Sequence, residues 1–346
     1  MSGRTIACVM EQTLGHVTHY LNLRRHEAVV TGCTPHWLPV EYRVGRAPWT
    51  VTGSLAARRA LKPLLPQVDA IFMHTATLAP LTADYFRHCP TILSADGTPF
   101  NKRAMRRAYG GKSERYGAVQ AKRLLYREVF ARARGFVAWS NWVKQSLVDD
   151  YGCREQDVAV ISPGIDVEHF ADAERSNELP RILFVGADFV RKGGDLLLEV
   201  FRERLRHKAE LVLVTRAQVA EEPGVRVYRT VAPNSQALLE LYRGADIFAL
   251  PTRADCYSMG CMEALASGLP IVATRVGGIP DIVRDGETGH LLDVDDAQAL
   301  GDTLEALIAE PARRREMGRH SRQDAIDRFD SRESARKLFE FVCARC

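Results

Sequence analysis

The sequence predicts an α/β protein of two domains, each a parallel sheet covered by helices. Short apolar, β-branched runs alternate with longer amphipathic stretches along the whole chain, the pattern of parallel strands joined by crossover helices. At 346 residues the chain exceeds a typical single domain. A polar, strand-free segment ending in proline, Ala171–Pro180, separates two halves that each show the alternation.

In the first half the spacing predicts strands at Ile6–Met10, Ala28–Thr31, Ala70–His74, Thr91–Ser94, Gly135–Trp139 and Val158–Ile161, with helical patterns at Ser54–Leu65 and Ser113–Arg132. In the second half strands are expected at Arg181–Val185, Glu210–Val214, Val225–Tyr228, Ile247–Pro251, Pro270–Ala273 and Gly289–Leu292. The helices between them are Asp195–Leu205, Ser235–Arg243, Gly260–Ser267 and Gln298–Ala309. Ser331–Arg345 reads as a final helix with no strand after it, free to pack on either domain. The expected organisation is therefore a domain over 1–170, a linker over 171–180, a second domain over 181–330 and a helix over 331–346.

Composition narrows the class. Apolar residues make up 46% and charged residues 26%, an ordinary soluble balance. No apolar run reaches the roughly 18 residues that span a bilayer, and the N-terminus lacks the apolar stretch and small-residue cleavage site of a secretory signal. A cytoplasmic protein is the expectation. Of the eight cysteines, Cys343 and Cys346 form one CxxC without the second pair a zinc site needs, so reduced, non-ligand thiols are expected. The net charge of +4 is unevenly spread, with 11 basic residues against two acidic ones between Lys102 and Arg134. Two readings compete for that segment, a solvated helical face or a surface for anionic lipid or an anionic acceptor, with peripheral membrane contact under the second. No motif accompanies it that would point to nucleic acid.

Two constellations carry chemistry. The first is Asp255-Cys-Tyr-Ser258-Met259-Gly260-Cys-Met-Glu263, between a strand end and the opening of a helix. Glycine and serine admit a close ligand, and exposed amides at a helix start favour phosphate. Glu263, about one turn inside, is placed to accept hydrogen bonds from ribose hydroxyls, and Asp255 to face a sugar. An ordinary N-capped helix is the plain alternative. The second is Gly186-Ala-Asp-Phe-Val-Arg191-Lys192-Gly193-Gly194, at the carboxyl edge of the sheet where α/β ligands bind. One cation about 4 Å from a phosphate charge gains roughly 4 kcal/mol at an effective dielectric near 20, so Arg191 and Lys192 suit a diphosphate. Arg–Lys pairs in loops are also commonly just solvated. In the first half, Gly15 and His16 follow the first strand in the same topological position, a weaker signal without G-x-G-x-x-G.

The segment Asp255–Gly289 resembles the signature of family 4 retaining glycosyltransferases of GT-B fold, also called group 1. The matching residues are Glu263 through Val272, Gly277-Gly278, Asp281 to Val283, and Asp285-Gly286 with Gly289, and the acidic pair keeps the family's seven-residue gap. Ser162 to Asp166 with Phe170, the Gly186 to Gly193 loop, and Gly15-His16 match at the expected places. The resemblance is strong over 158–330 and weaker in the N-terminal half. It implies an α/β GT-B protein, two Rossmann-like doubly wound domains facing across a cleft, with the acceptor on the N-terminal one and the nucleotide-sugar on the C-terminal one. Carried over by position, Arg191 and Lys192 hold the donor diphosphate, Glu263 the ribose and Asp255 the transferred sugar. Ser258, Met259 and Gly260 contact sugar and phosphate, and Gly15 and Gly186 lie at the donor.

The family usually has glutamate where Asp255 stands, and many members carry a histidine where Asp96 falls; His74 and His16 are the alternative imidazoles. A lone histidine at a strand end is more often structural. The implied reaction moves a hexosyl unit from a UDP- or GDP-sugar to a hydroxyl of a glycan, lipid-linked or small-molecule acceptor, with retention. No metal or other cofactor is expected, and no nucleic-acid partner. A non-catalytic nucleotide-sugar binder and a nucleotide-sugar 2-epimerase are the competing readings. Because Lys192 reads as a loop cation, its removal is expected to lower turnover far more than stability.

Overall fold

The computed structural model describes residues 3–13, 15–42, 48–111, 116–170 and 177–346. The chain divides into two compact units, one within residues 1–104, 112–164 and 331–346, the other within 105–111 and 165–330. Of the expected linker, residues 171–176 lie outside the described residues, as do 113–115 of the expected Ser113–Arg132 helix.

The first unit holds strands β1 (Arg4–Glu11), β2 (Cys33–Val40), β3 (Ala70–His74), β4 (Thr91–Ala95), β5 (Gly135–Ala138) and β6 (Val158–Val160). They form one sheet in the order β2-β1-β3-β4-β5-β6, every pair parallel. Its helices are α1 (Gly15–Arg25), α2 (Trp49–Leu61), α3 (Pro99–Ala104), α4 (Tyr116–Ala131) and α5 (Asn141–Asp149). Residues of β3 and β4 are buried throughout, which is why those strands read as continuous apolar runs. One core cluster joins Ala7, Val9, Ile71 and Met73 to α2, α4 and α5, and another joins Ile6, Cys8, Met10 and Phe72 to the helix at the end of the sequence.

The second unit holds β7 (Arg181–Val185), β8 (Glu210–Val214), β9 (Val225–Tyr228), β10 (Ile247–Leu250), β11 (Ile271–Thr274) and β12 (Gly289–Leu292). The order β12-β11-β10-β7-β8-β9, all parallel, reverses direction between β7 and β10. That is the doubly wound topology of a Rossmann domain. Its helices are α6 (Gly194–Val200), running on into a π turn at Phe201–Leu205, then α7 (Gln236–Arg243), α8 (Met259–Ala266), α9 (Ala297–Ala309) and α10 (Pro311–Phe329). The last helix, α11 (Ser331–Cys343), belongs to the first unit, where Phe339 meets the Trp37 ring edge-on at 6.0 Å and Ala335, Leu338 and Val342 enter the core.

Two of the departures from the sequence expectation have a plain physical cause. Residues Glu27–Val29 form a 3-10 turn, and the strand expected at Ala28–Thr31 begins instead at Cys33, after Gly32 with φ of 79°. Pro35 and Pro39 argue against a strand there. β2 is nevertheless an edge strand paired only with β1, where a missing N–H is tolerated. The 19-residue helix α10 was not anticipated, because its buried face is Met317, Gly318, Ser321, Asp324, Ala325 and Phe329, mostly small or polar. Those small residues allow close approach: a Cβ on Gly318 would lie 2.5 Å from the Gly268 carbonyl oxygen. Ser321 Oγ donates to the Thr288 carbonyl at 3.0 Å, and Arg322 Nη1 to the Ala266 carbonyl at the end of α8 at 2.6 Å.

Phe339 is 1% exposed, so Phe339→Ala should destabilise the first unit by about 3–5 kcal/mol. Urea unfolding that left the midpoint unchanged would contradict the packing of α11 described here.

Candidate active site

In the second unit, the loops after β7 and β10 leave the sheet on either side of its reversal point, the place where open α/β sheets bind ligands. Glycine lets these loops touch. Gly193, with φ of 76°, opens α6 as its N-cap, and a Cβ there would lie 1.9 Å from the Pro251 carbonyl oxygen. Gly277, with φ of 55°, brings the loop after β11 equally close to the Asp255 carbonyl oxygen, and Gly278 N–H donates to the Cys256 carbonyl at 2.9 Å. Gly186 packs on the Phe184 ring and the Lys192 stem, where a Cβ would meet carbon at 2.8 and 3.0 Å.

These contacts bring together most of the residues singled out in this half. The Lys192 ammonium pairs directly with the Asp255 carboxylate, and both side chains are largely buried. Arg191 is drawn into the loop itself. It donates to Asp188 Oδ2 at 2.9 Å and to the Ala254 carbonyl at 2.7 Å, and its guanidinium lies 4.5 Å from the Tyr109 ring centre. Lys192 is therefore more than a loop cation. Deleting one partner of a buried ion pair costs several kcal/mol, so its removal should lower stability as well as turnover, where a loop cation was expected to matter far more for turnover.

Ser258 caps α8, its Oγ accepting from Cys261 N–H at 3.2 Å, and Met259 and Gly260 form the first turn. Glu263, one turn on, is 6% exposed, and Tyr242 OH on α7 donates to its Oε2 at 2.7 Å. Burial pushes the Glu263 carboxyl up to about 7, and the phenol's hydrogen bond only partly opposes that. Tyr242 was not foreseen. It lies 21 residues upstream, and its only sequence signal is an aromatic on the apolar face of α7.

The first unit gathers Gly15, His16, His74 and Asp96 at the carboxyl edge of its sheet. Gly15 opens α1, directly after the loop that follows β1. His74 ends β3 and Asp96 follows β4. His74 Nε2 is 2.9 Å from His16 Nδ1, and His16 Nε2 is 3.8 Å from Asp96 Oδ2. Lys102, counted above with the basic segment, donates to Asp96 Oδ1 at 3.0 Å. Beside this group Glu11, 4% exposed at the end of β1, accepts from Thr13, Tyr42 and Thr75 hydroxyls. An acid closing an apolar strand was the one available signal for it. Among the described residues no group of three or more His, Cys, Asp or Glu is arranged to hold a metal, and no helix is long and apolar enough to cross a membrane.

Residues 179–310 match the family described as glycosyl transferases group 1, and residues 10–169 match glycosyltransferase family 4. The D-inositol 3-phosphate glycosyltransferase of Corynebacterium aurimucosum is 30% identical over 229 residues, covering 58% of this chain and 54% of that protein. That of Corynebacterium urealyticum is 26% identical over 273 residues, 70% of this chain and 64% of that protein. The chain thus spans less than two thirds of the length of these relatives. Among solved structures, the sucrose-phosphate synthase of Thermosynechococcus elongatus superposes with a TM-score of 0.79 at 15% identity over 98% of both chains. Anabaena HepE in complex with UDP-glucose gives 0.74 at 14% identity over 99% of this chain and 100% of that one. At such identities the likeness is one of fold.

Glu263 generates a stability prediction. Its folded-state carboxyl titrates near 7 against an ordinary value of 4.5, so the native state holds the extra proton between those values. Its contribution is fully present below about pH 4.5 and is lost as pH rises through about 7. Glu263→Gln should match the wild type near pH 4.5 and exceed it by up to roughly 3 kcal/mol at pH 8. Urea melts with the same difference at both pH values would refute this.

Proposed function

The chain belongs to the family 4, group 1 glycosyltransferases and has their α/β GT-B fold of two Rossmann-like domains, and on that premise we propose that it transfers a hexosyl unit from a UDP- or GDP-sugar to a hydroxyl acceptor with retention of configuration. The observation that carries this reading is the Lys192–Asp255 pair beside the capped start of α8, with the protonatable Glu263 one turn further on. In this reading Lys192 and the first amides of α8 take the leaving diphosphate, supplying fixed positive charge and helix dipole. Arg191 adds charge from within the loop. Asp255, held by Lys192, is presented to the transferred sugar, and Glu263 meets the ribose hydroxyls.

Proton transfer needs no separate protein base here. A diphosphate oxygen on the face the acceptor approaches takes its proton, and the protein contributes orientation and charge. The donor domain is the second unit and the acceptor domain the first. UDP-glucose, bound by the Anabaena protein, and an inositol phosphate, the substrate class in the relatives' name, are the first donor and acceptor to try. No metal is assigned a part.

Peripheral membrane contact through the Lys102–Arg134 segment belongs to the same proposal. Lys102 faces Asp96, so the surface rests on exposed Arg103 and Arg127 with exposed Tyr116, Leu124 and Leu125, all in the first unit; residues 112–115 lie outside the described ones.

Lys192→Ala should lower kcat for UDP release by roughly a hundredfold or more, measured at a temperature where its melting curve shows it folded. A near-normal kcat would remove Lys192 from the diphosphate. Co-sedimentation with phosphatidylserine vesicles should be strong at low salt and fade as salt rises, since charges are screened beyond about 8 Å at physiological ionic strength. Absence of binding at low salt would leave the segment a solvated face.

A further inference from the structure

We propose that His16 is the substrate-facing group of the first unit, and that Asp96 and His74 act through it as positioning residues without touching substrate. The inference rests on the transferase reading above, but its argument comes from geometry within one unit. In the sheet order β2-β1-β3-β4-β5-β6 the direction of winding reverses between β1 and β3, and ligands of open α/β sheets bind at that point. His16 stands in the first turn of α1, directly after β1, and His74 is the last residue of β3. The two imidazoles therefore meet where the sheet opens.

Their surroundings divide the labour. His74 is wholly buried, and its ring stacks on Trp139 at 4.8 Å with planes 10° apart. Its Nδ1 lies 3.1 Å from Ser94 Oγ and its Nε2 2.9 Å from His16 Nδ1, so both nitrogens are occupied. Burial, with His16, His19 and Lys102 nearby, holds it well below the usual imidazole range and hence neutral. Such a ring fixes a neighbour and has nothing left for a ligand.

Asp96 is also closed off. Lys102 occupies Oδ1, and although burial pushes the carboxyl up, Lys102 and His16 outweigh it and hold the group ionised. Its Oδ2 is 3.8 Å from His16 Nε2, too far for a hydrogen bond yet close enough to orient the imidazole electrostatically. His16 itself keeps 12% side-chain exposure, and its Nε2 makes no hydrogen bond among the described residues. One imidazole nitrogen is thus anchored by His74, while the other is steered by a carboxylate and open to a substrate oxygen. His19, edge-on to His74 and Trp139 at 5.0 Å, has no hydrogen-bond partner for either nitrogen among the described residues. Burial and then His16 lower it to about 3, so it adds no charge. The charged groups facing His16 are Asp96 and, behind it, Lys102.

A double-mutant cycle separates action through His16 from an independent structural role. His16→Gln and Asp96→Asn should each lower kcat for UDP release from UDP-glucose, in the presence of an inositol phosphate, by up to about a hundredfold with little change in donor KM. The double variant should be no slower than His16→Gln alone. Losses that multiply would overturn the proposal. In parallel, NMR of the full chain at fixed pH should show the ring nitrogen resonances of His16 displaced in Asp96→Asn, because the carboxylate beside Nε2 is gone. Unmoved resonances would equally overturn it. If the wild type releases no nucleotide from UDP- or GDP-sugars, the transferase reading fails, while the ring resonances still decide the positioning claim. Asp96→Asn preserves shape, and Lys102, 31% exposed, can turn to solvent.

Discussion

Parallel strands buried on both faces leave polar chemistry one place to go, the loops at their carboxyl ends. In both units the inner strands are largely apolar and closed, while Glu11, His74 and Asp96 in one appear where strands end and Lys192 and Asp255 in the other in the loops that follow. Much else follows from that confinement. Loops crowded at a reversal point must approach backbone to backbone, which is why Gly193 and Gly277 take positive φ against carbonyl oxygens. Carboxylates held in such crowding lose water and must find partners within the same few residues.

Three buried carboxylates meet that demand differently. Asp255 takes a lysine from the neighbouring loop, Asp96 takes a lysine plus a nearby imidazole, and Glu263 has a phenol alone. A cation offsets the desolvation of an anion; a neutral hydroxyl offsets less. Accordingly Asp96 stays ionised while Glu263 is held near neutrality. The same chemical group thus serves as a fixed charge in one place and a titrating one in another.

The strands were legible because burial on both faces demands apolar, β-branched runs, and Ala70–His74, Arg181–Val185 and Glu210–Val214 coincide with their expected bounds. β2 was not, since its prolines are permitted only by its place at an edge, which a linear reading does not reveal. α10 escaped because its packing depends on smallness at Gly318 and Ser321 in place of hydrophobicity. In the candidate site, Arg191, Lys192, Asp255 and Glu263 were found by position along a motif. Their partners Tyr242 and Tyr109 are tertiary and carry no spacing to read.

The placement of α11 has a consequence for how the chain is made. Residues 165–330 of the second unit are nearly continuous in sequence, so that unit has most of its core as soon as it emerges from the ribosome. The first unit, although synthesised earlier, must wait for Ala335, Leu338, Phe339 and Val342 to cover Ile6, Cys8, Met10 and Phe72. Until then one face of its oldest strands is covered only in part, by Tyr20 and Leu23 of α1. Of the two units, the one translated earlier is thus the one completed later, and its sheet is the one that would most need a chaperone's shelter.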